Sequence, residues 1–344
     1  MLHSVLCLLF VCGIGAAEEE DGATEDAGSF VEITPKLEAA VEHGLSWLAR
    51  NQAPDGSWGA DGFSGQYQMA MTGLAGLALL SAGHFPGRGR YGSNVQRALH
   101  FILKHQDHNG LFTCPSDAQQ MYGHGFAMTF LAEAYGMSGD GELGASIKQA
   151  LARAVKVTQQ AQSSRGGWYY SPNPSNDEGS VTITQVMALR SVRNVGIDVP
   201  YKVLEQAIEY IRKSQNSDGG LRYSLQSSQT SSVALTAAGA NVLMLAGQYR
   251  GSQTQRACDY LKKNLDPRHT QGYHDFYTNF YGSQAMFQLG GEYWARYFEL
   301  MRGRLLKSQG ADGSWSSEIG RTYCTAIGVM ILCLPYRYLP ILQK

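Results

Sequence analysis

One turn recurs five times along the chain: Gln, three residues, Gly, one residue, then a large apolar side chain. Its copies run from Gln52 to Trp58, Gln106 to Phe112, Gln162 to Trp168, Gln215 to Leu221 and Gln309 to Trp315. A repeat constrains architecture more than any single motif, because each unit can bury its apolar face only against its neighbours. Successive Gln positions lie 54, 56 and 53 residues apart, and the last gap is 94. That gap holds two short units, with the missing turn between Asn264 and Gly272, where Pro267 follows the end of a helix. The count is therefore six units and twelve helices.

Each unit opens with an amphipathic helix, expected over 37–50, 95–104, 147–160, 203–213, 255–264 and 297–306. In the first, Leu37, Val41, Leu45 and Leu48 fall on one helical stripe. The Gly of each turn marks where such a helix stops, since Gly accepts a left-handed backbone at little cost. A second helix follows each turn, over 69–79, 126–134, 181–188, 232–245, 281–287 and 322–334. These are rich in small and apolar residues and nearly free of charge, so they are expected to be buried on most sides. The economical arrangement is all-α: an α6/α6 toroid with outer helices facing water and inner helices facing a central cavity. An open solenoid needs polar capping repeats, and the apolar run 329–342 makes a poor cap.

The chain has 344 residues, a formal charge of −1, 44% apolar and 17% charged residues. This describes a folded protein with a large core and gives no support for a nucleic-acid partner. Residues 5–14 are apolar, Gly15-Ala16-Ala17 offers small residues for cleavage, and Glu18-Glu19-Glu20 follows. Residues 1–17 read as a secretory signal peptide, although Lys and Arg are missing from its start. A membrane anchor there falls short of the ~20 apolar residues a span needs, and a lipoprotein site at Cys12 follows Phe10-Val11 where small residues are expected. The expectation is export to the periplasm or extracellular space. It leaves an acidic, unfolded segment at 18–34, one domain over 35–344 and no integral membrane span. Four Cys remain after cleavage, none in a Cys-x-x-Cys pair; Cys324 and Cys333 read as buried thiols.

The Gln-x3-Gly-x-Trp turn behind an amphipathic helix resembles the QW repeat of squalene and hopene cyclases, and the related repeat of protein prenyltransferase β subunits. Three copies keep Gln, Gly and Trp, and the resemblance runs from about residue 35 to the C-terminus. It implies the α6/α6 toroid, with Gln52, Trp58, Trp168 and Trp315 as structural ties at the outer rim. Several segments are also similar to exported bacterial proteins that carry only these prenyltransferase/squalene oxidase-type repeats. They are His124-Gly-Phe-Ala with Leu131-Ala-Glu-Ala-Tyr135, Ser180 to Gln185, Gln284 to Gly291, and Tyr336 to Pro340.

The family's chemistry needs sites that this sequence lacks. Its cyclases protonate an alkene or epoxide from an Asp-x-Asp-Asp cluster, and no such string occurs here. The nearest pair, Asp177-Glu178, reads as the acidic start of a helix with a Ser to cap it. The family's prenyltransferases hold zinc through Asp-x-Cys and a His. Asp-x-Cys is absent, and in Asp275-Phe-Tyr-Thr-Asn279 it is Thr278 that stands in the place of the His. No metal or cofactor is expected. Asp275, His124, Asp177 and Glu178 remain as catalytic candidates.

The starts of the inner helices are expected to line the cavity mouth with Tyr67, Gln68, Tyr122, His124, Thr182, Thr184, Gln185, Asp275, Tyr277, Tyr281, Gln284, Arg321 and Tyr323. Such a mixture suits a ligand with a polar group and an apolar body. The expected function is binding of an apolar or isoprenoid-like small molecule, or a peptide, without the family's catalytic motifs. One alternative is a divergent cyclase with Asp177, Glu178 or Asp275 as proton donor. Another is a carbohydrate-active α6/α6 enzyme; hydrolysis there needs two carboxyls about 5–9.5 Å apart.

Overall fold

The structure, a computed structural model, describes residues 31–59, 62, 66–138, 141–227, 230–270, 272 and 274–343. The expected signal peptide and the acidic stretch up to residue 30 lie outside them. Twelve α-helices follow in order among the described residues. The outer ones are α1 (Pro35–Arg50), α3 (Gly92–Lys104), α5 (Glu142–Ala161), α7 (Tyr201–Lys213), α9 (Ser252–Asn264) and α11 (Gly291–Ser308). The inner ones are α2 (Gln68–Ser81), α4 (Gln120–Ser138), α6 (Gly179–Asn194), α8 (Val233–Leu245), α10 (Asp275–Leu289) and α12 (Arg321–Cys333). Local signals set several starts. Thr34 Oγ1 accepts from Leu37 N at 3.2 Å with Pro35 in the first turn, and Ser232 caps α8.

The inner helices pack side by side in chain order, and α12 returns to α2. Small residues allow the close approach. A Cβ at Gly73 would lie 2.8 Å from the Phe126 backbone, and one at Gly125 would lie 2.6 Å from Thr184 Cγ2. Burial on nearly all sides follows: every residue of α2 from Met69 to Ser81 is buried.

The repeated turn fastens each hairpin to the next. Gln52 Nε2 donates to Gly56 O at 2.9 Å, closing its own turn, and to Asn94 O at 2.9 Å on the next outer helix. Gln106 does the same to Gly110 and Ala150, Gln162 to Gly166 and Val203, and Gln215 to Gly219 and Gln253. Gln309 donates to Gly313 O at 2.9 Å and to Ala40 O at 2.8 Å, on α1. The last unit is thus tied to the first by the bond that joins each of the first four units to the next, and the hairpins form a closed ring.

The Gly of each turn is required twice over. Gly166 has φ +97°, and a Cβ there would lie 2.2 Å from Gln206 O on the next outer helix; Gly313 has φ +95° and meets His43 O of α1 at 2.4 Å. The helices end at or just before the Gln, and the Gly four residues on is where the chain grazes its neighbour. The Trp residues are not at the outer rim, as the resemblance implied. Trp58, Trp168 and Trp315 are at most 2% exposed. Each indole N–H donates to a carbonyl ten residues back at the end of its outer helix: Leu48, Thr158 and Leu305, at 2.7–2.9 Å. They fill the space between the two helical layers.

The fifth unit is different. Among the described residues, no Gln strut leaves the turn between α9 and α10. Instead Arg304 of α11 reaches back to Pro267 O at 2.8 Å, to Thr270 Oγ1 at 2.9 Å and to the Asp275 carboxylate.

Candidate functional site

The turns lie at the N-terminal ends of the inner helices and define the mouth of the lumen. Tyr122 of α4 hydrogen-bonds Ser180 of α6, and Ser180 Oγ donates to Glu178 Oε2 at 2.7 Å. A hydroxyl has one proton, so Tyr122 is the donor in the first bond while Ser180 serves the carboxylate. Tyr170 lies 5.9 Å from Tyr122, ring to ring, and shares a hydroxyl hydrogen bond with Tyr223. Across the ring, Tyr277 and Tyr281 of α10 pack edge to face at 4.9 Å. Both hydroxyls are sealed from solvent; Tyr281 faces the Thr184 hydroxyl, and Tyr277 has no hydrogen-bond partner among the described residues. Burial drives the phenol pKa values of Tyr122, Tyr277 and Tyr281 up, so these groups stay protonated donors.

Glu178 is the N-cap of α6. It accepts from Ser180 N at 2.8 Å and Val181 N at 2.6 Å. Burial raises its pKa against those hydrogen bonds. Asp177 turns the other way, accepting from Ser163 Oγ at 2.8 Å and from Arg165 Nε at 2.7 Å. The pair does start a helix, but the cap is Glu178 itself and not a Ser.

The lumen narrows below the mouth and is stopped at its far end by the chain itself. After α12 a 3-10 turn, Leu334–Tyr336, leads to Arg337, whose φ of 57° is left-handed. The chain reverses there and runs across the bottom of the ring. Leu339, Ile341 and Leu342 are buried. Only about 20 Å³ is left between them and a wall that includes Leu77, Phe126, Thr184, Met187, Phe280 and Tyr281, room for about one water. Gln288 Nε2 donates to Gln343 O at 2.9 Å, and Ile341 N–H points at Glu133 Oε2 at 3.4 Å. Burying three aliphatic side chains yields roughly 5–9 kcal/mol at about 1.5–3 each. Ordering five or six residues costs about 5–10 kcal/mol, so the segment is held by a small difference.

Glu133, on α4, is 3% exposed, and burial raises its pKa to about 7 against help from the Ser191 hydroxyl and the Ile341 N–H. The sequence carried a signal for it: a lone acid inside the apolar stretch Leu131-Ala-Glu-Ala-Tyr135, where a charge is costly unless it is neutral or partnered.

Two expected lumen residues lie elsewhere. His124 is fully buried between α4 and α5. It accepts from Phe112 N at 3.1 Å through Nδ1, and its Nε2 lies 3.1 Å from Thr158 Oγ1. Burial lowers its pKa to about 4, so it is neutral. Its role is legible from the other units. The backbone N–H at the aromatic position donates to Thr72, Thr182, Thr236 and Thr325 in units one, three, four and six, at 2.8–3.1 Å. In unit two His124 is that acceptor. His124→Ala is expected to cost about 1–3 kcal/mol by orphaning the Phe112 N–H, and His124→Thr to recover part of it. Thermal melts of both variants check this, and equal losses would sink the equivalence.

Asp275 sits between α10 and α11, bound by Arg304 and by Asn279 Nδ2 at 2.8 Å. It and His124 share no partner. Thr278 donates to His274 O at 2.8 Å, the same four-residue back-bond that Thr72, Thr182 and Thr236 make. Gln185 and Gln284 join neighbouring inner helices, through Met121 O at 2.7 Å and Asn241 Nδ2 at 2.9 Å. Tyr323 is buried, whereas Tyr67, just before α2, is part-buried. Cys114, Cys258, Cys324 and Cys333 are buried thiols outside any disulfide. No helix among the described residues is long and apolar enough to cross a membrane.

A closed ring of six helical hairpins, with an apolar lumen and a tyrosine-lined mouth, defines the class: an α6/α6 toroid. Residues 137–307 match the family model of the squalene-hopene cyclase C-terminal domain. That match covers just under half of the chain, and the struts described above extend the same toroid pattern around the whole ring. The type II terpene cyclase MstE from Scytonema is similar, with a TM-score of 0.63 at 18% identity over 88% of this chain and 99% of that one. Variants of MstE have been solved with geranylgeranyl dihydroxybenzoate as substrate and with merosterolic acid A as product. Cellobiose 2-epimerase from Bacillus thermoamylovorans also has a TM-score of 0.63, at 11% identity over 87% and 98% of the two chains. The GH76 α-mannanase from Bacteroides thetaiotaomicron scores 0.63 at 11% identity over 88% and 96%. Curated protein sequences give no match. A fold shared by a terpene cyclase and sugar-active enzymes does not choose an activity, and the site has to.

Proposed function

We propose that this toroid is an exported binding protein for a slender amphiphile, with the apolar chain along the lumen and one polar head at the tyrosine mouth. The observation that carries this is the enclosed Tyr277 phenol, without a partner among the described residues, beside Tyr281 and above an apolar lumen. Buried donors left unpaired are costly, and a ligand carrying one acceptor group relieves that cost. Similar rings in the MstE variants hold a geranylgeranyl compound with a polar aromatic head, which supports the isoprenoid-like class. The apolar segment at residues 5–14 supports export.

Proton donation to an alkene is less well supported. Of the acidic candidates, Glu178 is the one hydrogen-bonded into the mouth through Ser180. Burial raises its pKa, which favours the protonated form but does not make that proton the strongly acidic one that alkene protonation demands.

The test is native mass spectrometry and thermal shift with geranylgeraniol, and with cellobiose as the contrasting probe. A saturable one-to-one complex with geranylgeraniol is expected. Its Tm should rise by several degrees when the ligand stands at about 100 times Kd. Tyr277→Phe with Tyr281→Phe should weaken it about tenfold. Binding of cellobiose and not of geranylgeraniol would move the reading to a carbohydrate site.

A further inference from the structure

We propose that residues 339–342 are a removable plug, the chain's own stand-in for the apolar end of the ligand. The inference rests on the binding reading above and concerns its regulation. The lumen is not short of apolar surface; it is short of space. Leu339, Ile341 and Leu342 touch the same small void as Phe126, Phe280 and Tyr281, and that void holds about 20 Å³. A long apolar chain entering from the mouth meets the plug and has nowhere else to go.

The attachment suits removal. The segment comes off α12 through a non-glycine residue in the left-handed region, Arg337, so the reversal is strained where it begins. One of the polar ties is long, at 3.4 Å from Ile341 N to Glu133, and another comes from the Gln288 side chain. The segment follows the last helix of the ring and belongs to none of the six hairpins, so it leaves without disturbing any of them. Neither Gln309 nor Trp315, which hold the last unit in the ring, takes part in it. The plug and a ligand then compete for one volume, and affinity in the intact chain is lowered by the fraction of time the plug is seated.

The experiment compares geranylgeraniol affinity, by calorimetric titration, in three chains. These are the intact protein, a chain ending at Tyr338, and the full-length Ile341→Asn variant. Far-UV circular dichroism and melts confirm that each ring is folded. The chain ending at Tyr338 is expected to bind at least tenfold tighter than the intact protein, with Ile341→Asn in between. In the intact protein, saturating geranylgeraniol should speed amide hydrogen exchange at Ile341 and Leu342 while exchange in α2 and α6 slows. Equal affinity in all three chains overturns the plug and leaves the binding reading standing. So does unchanged protection of Ile341 in the complex. Binding by none of them overturns the reading itself and the plug with it. If the shortened chain does not fold, the exchange measurement on the intact protein decides alone.

Discussion

Trp315→Ala is expected to destabilise the protein by about 3–5 kcal/mol, the range for removing a fully buried aromatic. The side chain is 1% exposed. Its indole N–H reaches Leu305 O at 2.9 Å, and its backbone N–H reaches Thr325 Oγ1 at 3.1 Å. Its ring is pressed between two helices at positions where only glycine fits. A Cβ at Gly44 of α1 would come 3.1 Å from the ring, and one at Gly328 of α12 would come 3.0 Å from it. Trp315 therefore fills the seam where the last unit meets the first. Truncation leaves a cavity and removes the indole donor from the Leu305 carbonyl, which keeps Gln309 N at 3.1 Å. Trp315→Phe keeps most of the apolar contact and loses the hydrogen bond, so about 1–2 kcal/mol is expected. Urea melts of both variants check the order, and a loss below about 1 kcal/mol for the alanine variant would refute the strut account.

The second large effect is on pH dependence. Glu133 titrates near 7 in the folded protein and near 4.3 in an unfolded chain. Between those values the native state holds a proton that the unfolded state has released. Stability is therefore fully present at low pH and falls as pH rises to about 7. The loss is on the order of 3 kcal/mol, because each pH unit between the two titration points removes about 1.4 kcal/mol. The groups that face Glu133 are the Ser191 hydroxyl and the Ile341 N–H, and neither carries a charge that could offset a carboxylate. Glu133→Gln keeps shape and polarity without the charge. It should flatten the unfolding free energy between pH 5 and 8 and exceed the wild type at pH 8. Denaturant melts at several pH values measure this. Parallel wild-type and Glu133→Gln profiles would mean that the carboxylate is solvated or paired.

Much of the ring was legible from the recurrence of Gln, Gly and a large apolar residue, because these are the atoms that fasten one hairpin to the next. All six outer helices and all six inner helices fall where the spacing expects them, and the irregular unit lies between Asn264 and Asp275. The site was less legible. Position at a helix start does not say which way a side chain turns. Tyr122, Tyr277 and Tyr281 turn to the lumen, whereas His124 and Asp275 turn to outer helices that a single unit does not reveal. Laying the units over one another would have recovered His124, since it stands where Thr72, Thr182 and Thr236 stand. The C-terminal segment had a signal too. The run 329–342 was too apolar to end a solenoid, but its hydropathy could not tell closure of the ring from entry into it. Glu133 showed only as one acid in an uncharged stretch.

The fifth unit gives the annulus an uneven circumference. Five of its junctions are held by neutral amides bonded to backbone carbonyls, while the sixth relies on an ion pair from Arg304 to Asp275 with two polar contacts beside it. Ionic strength leaves an amide strut untouched but weakens a guanidinium–carboxylate clasp. Added salt therefore loosens this joint before the other five, by chemistry that they do not share.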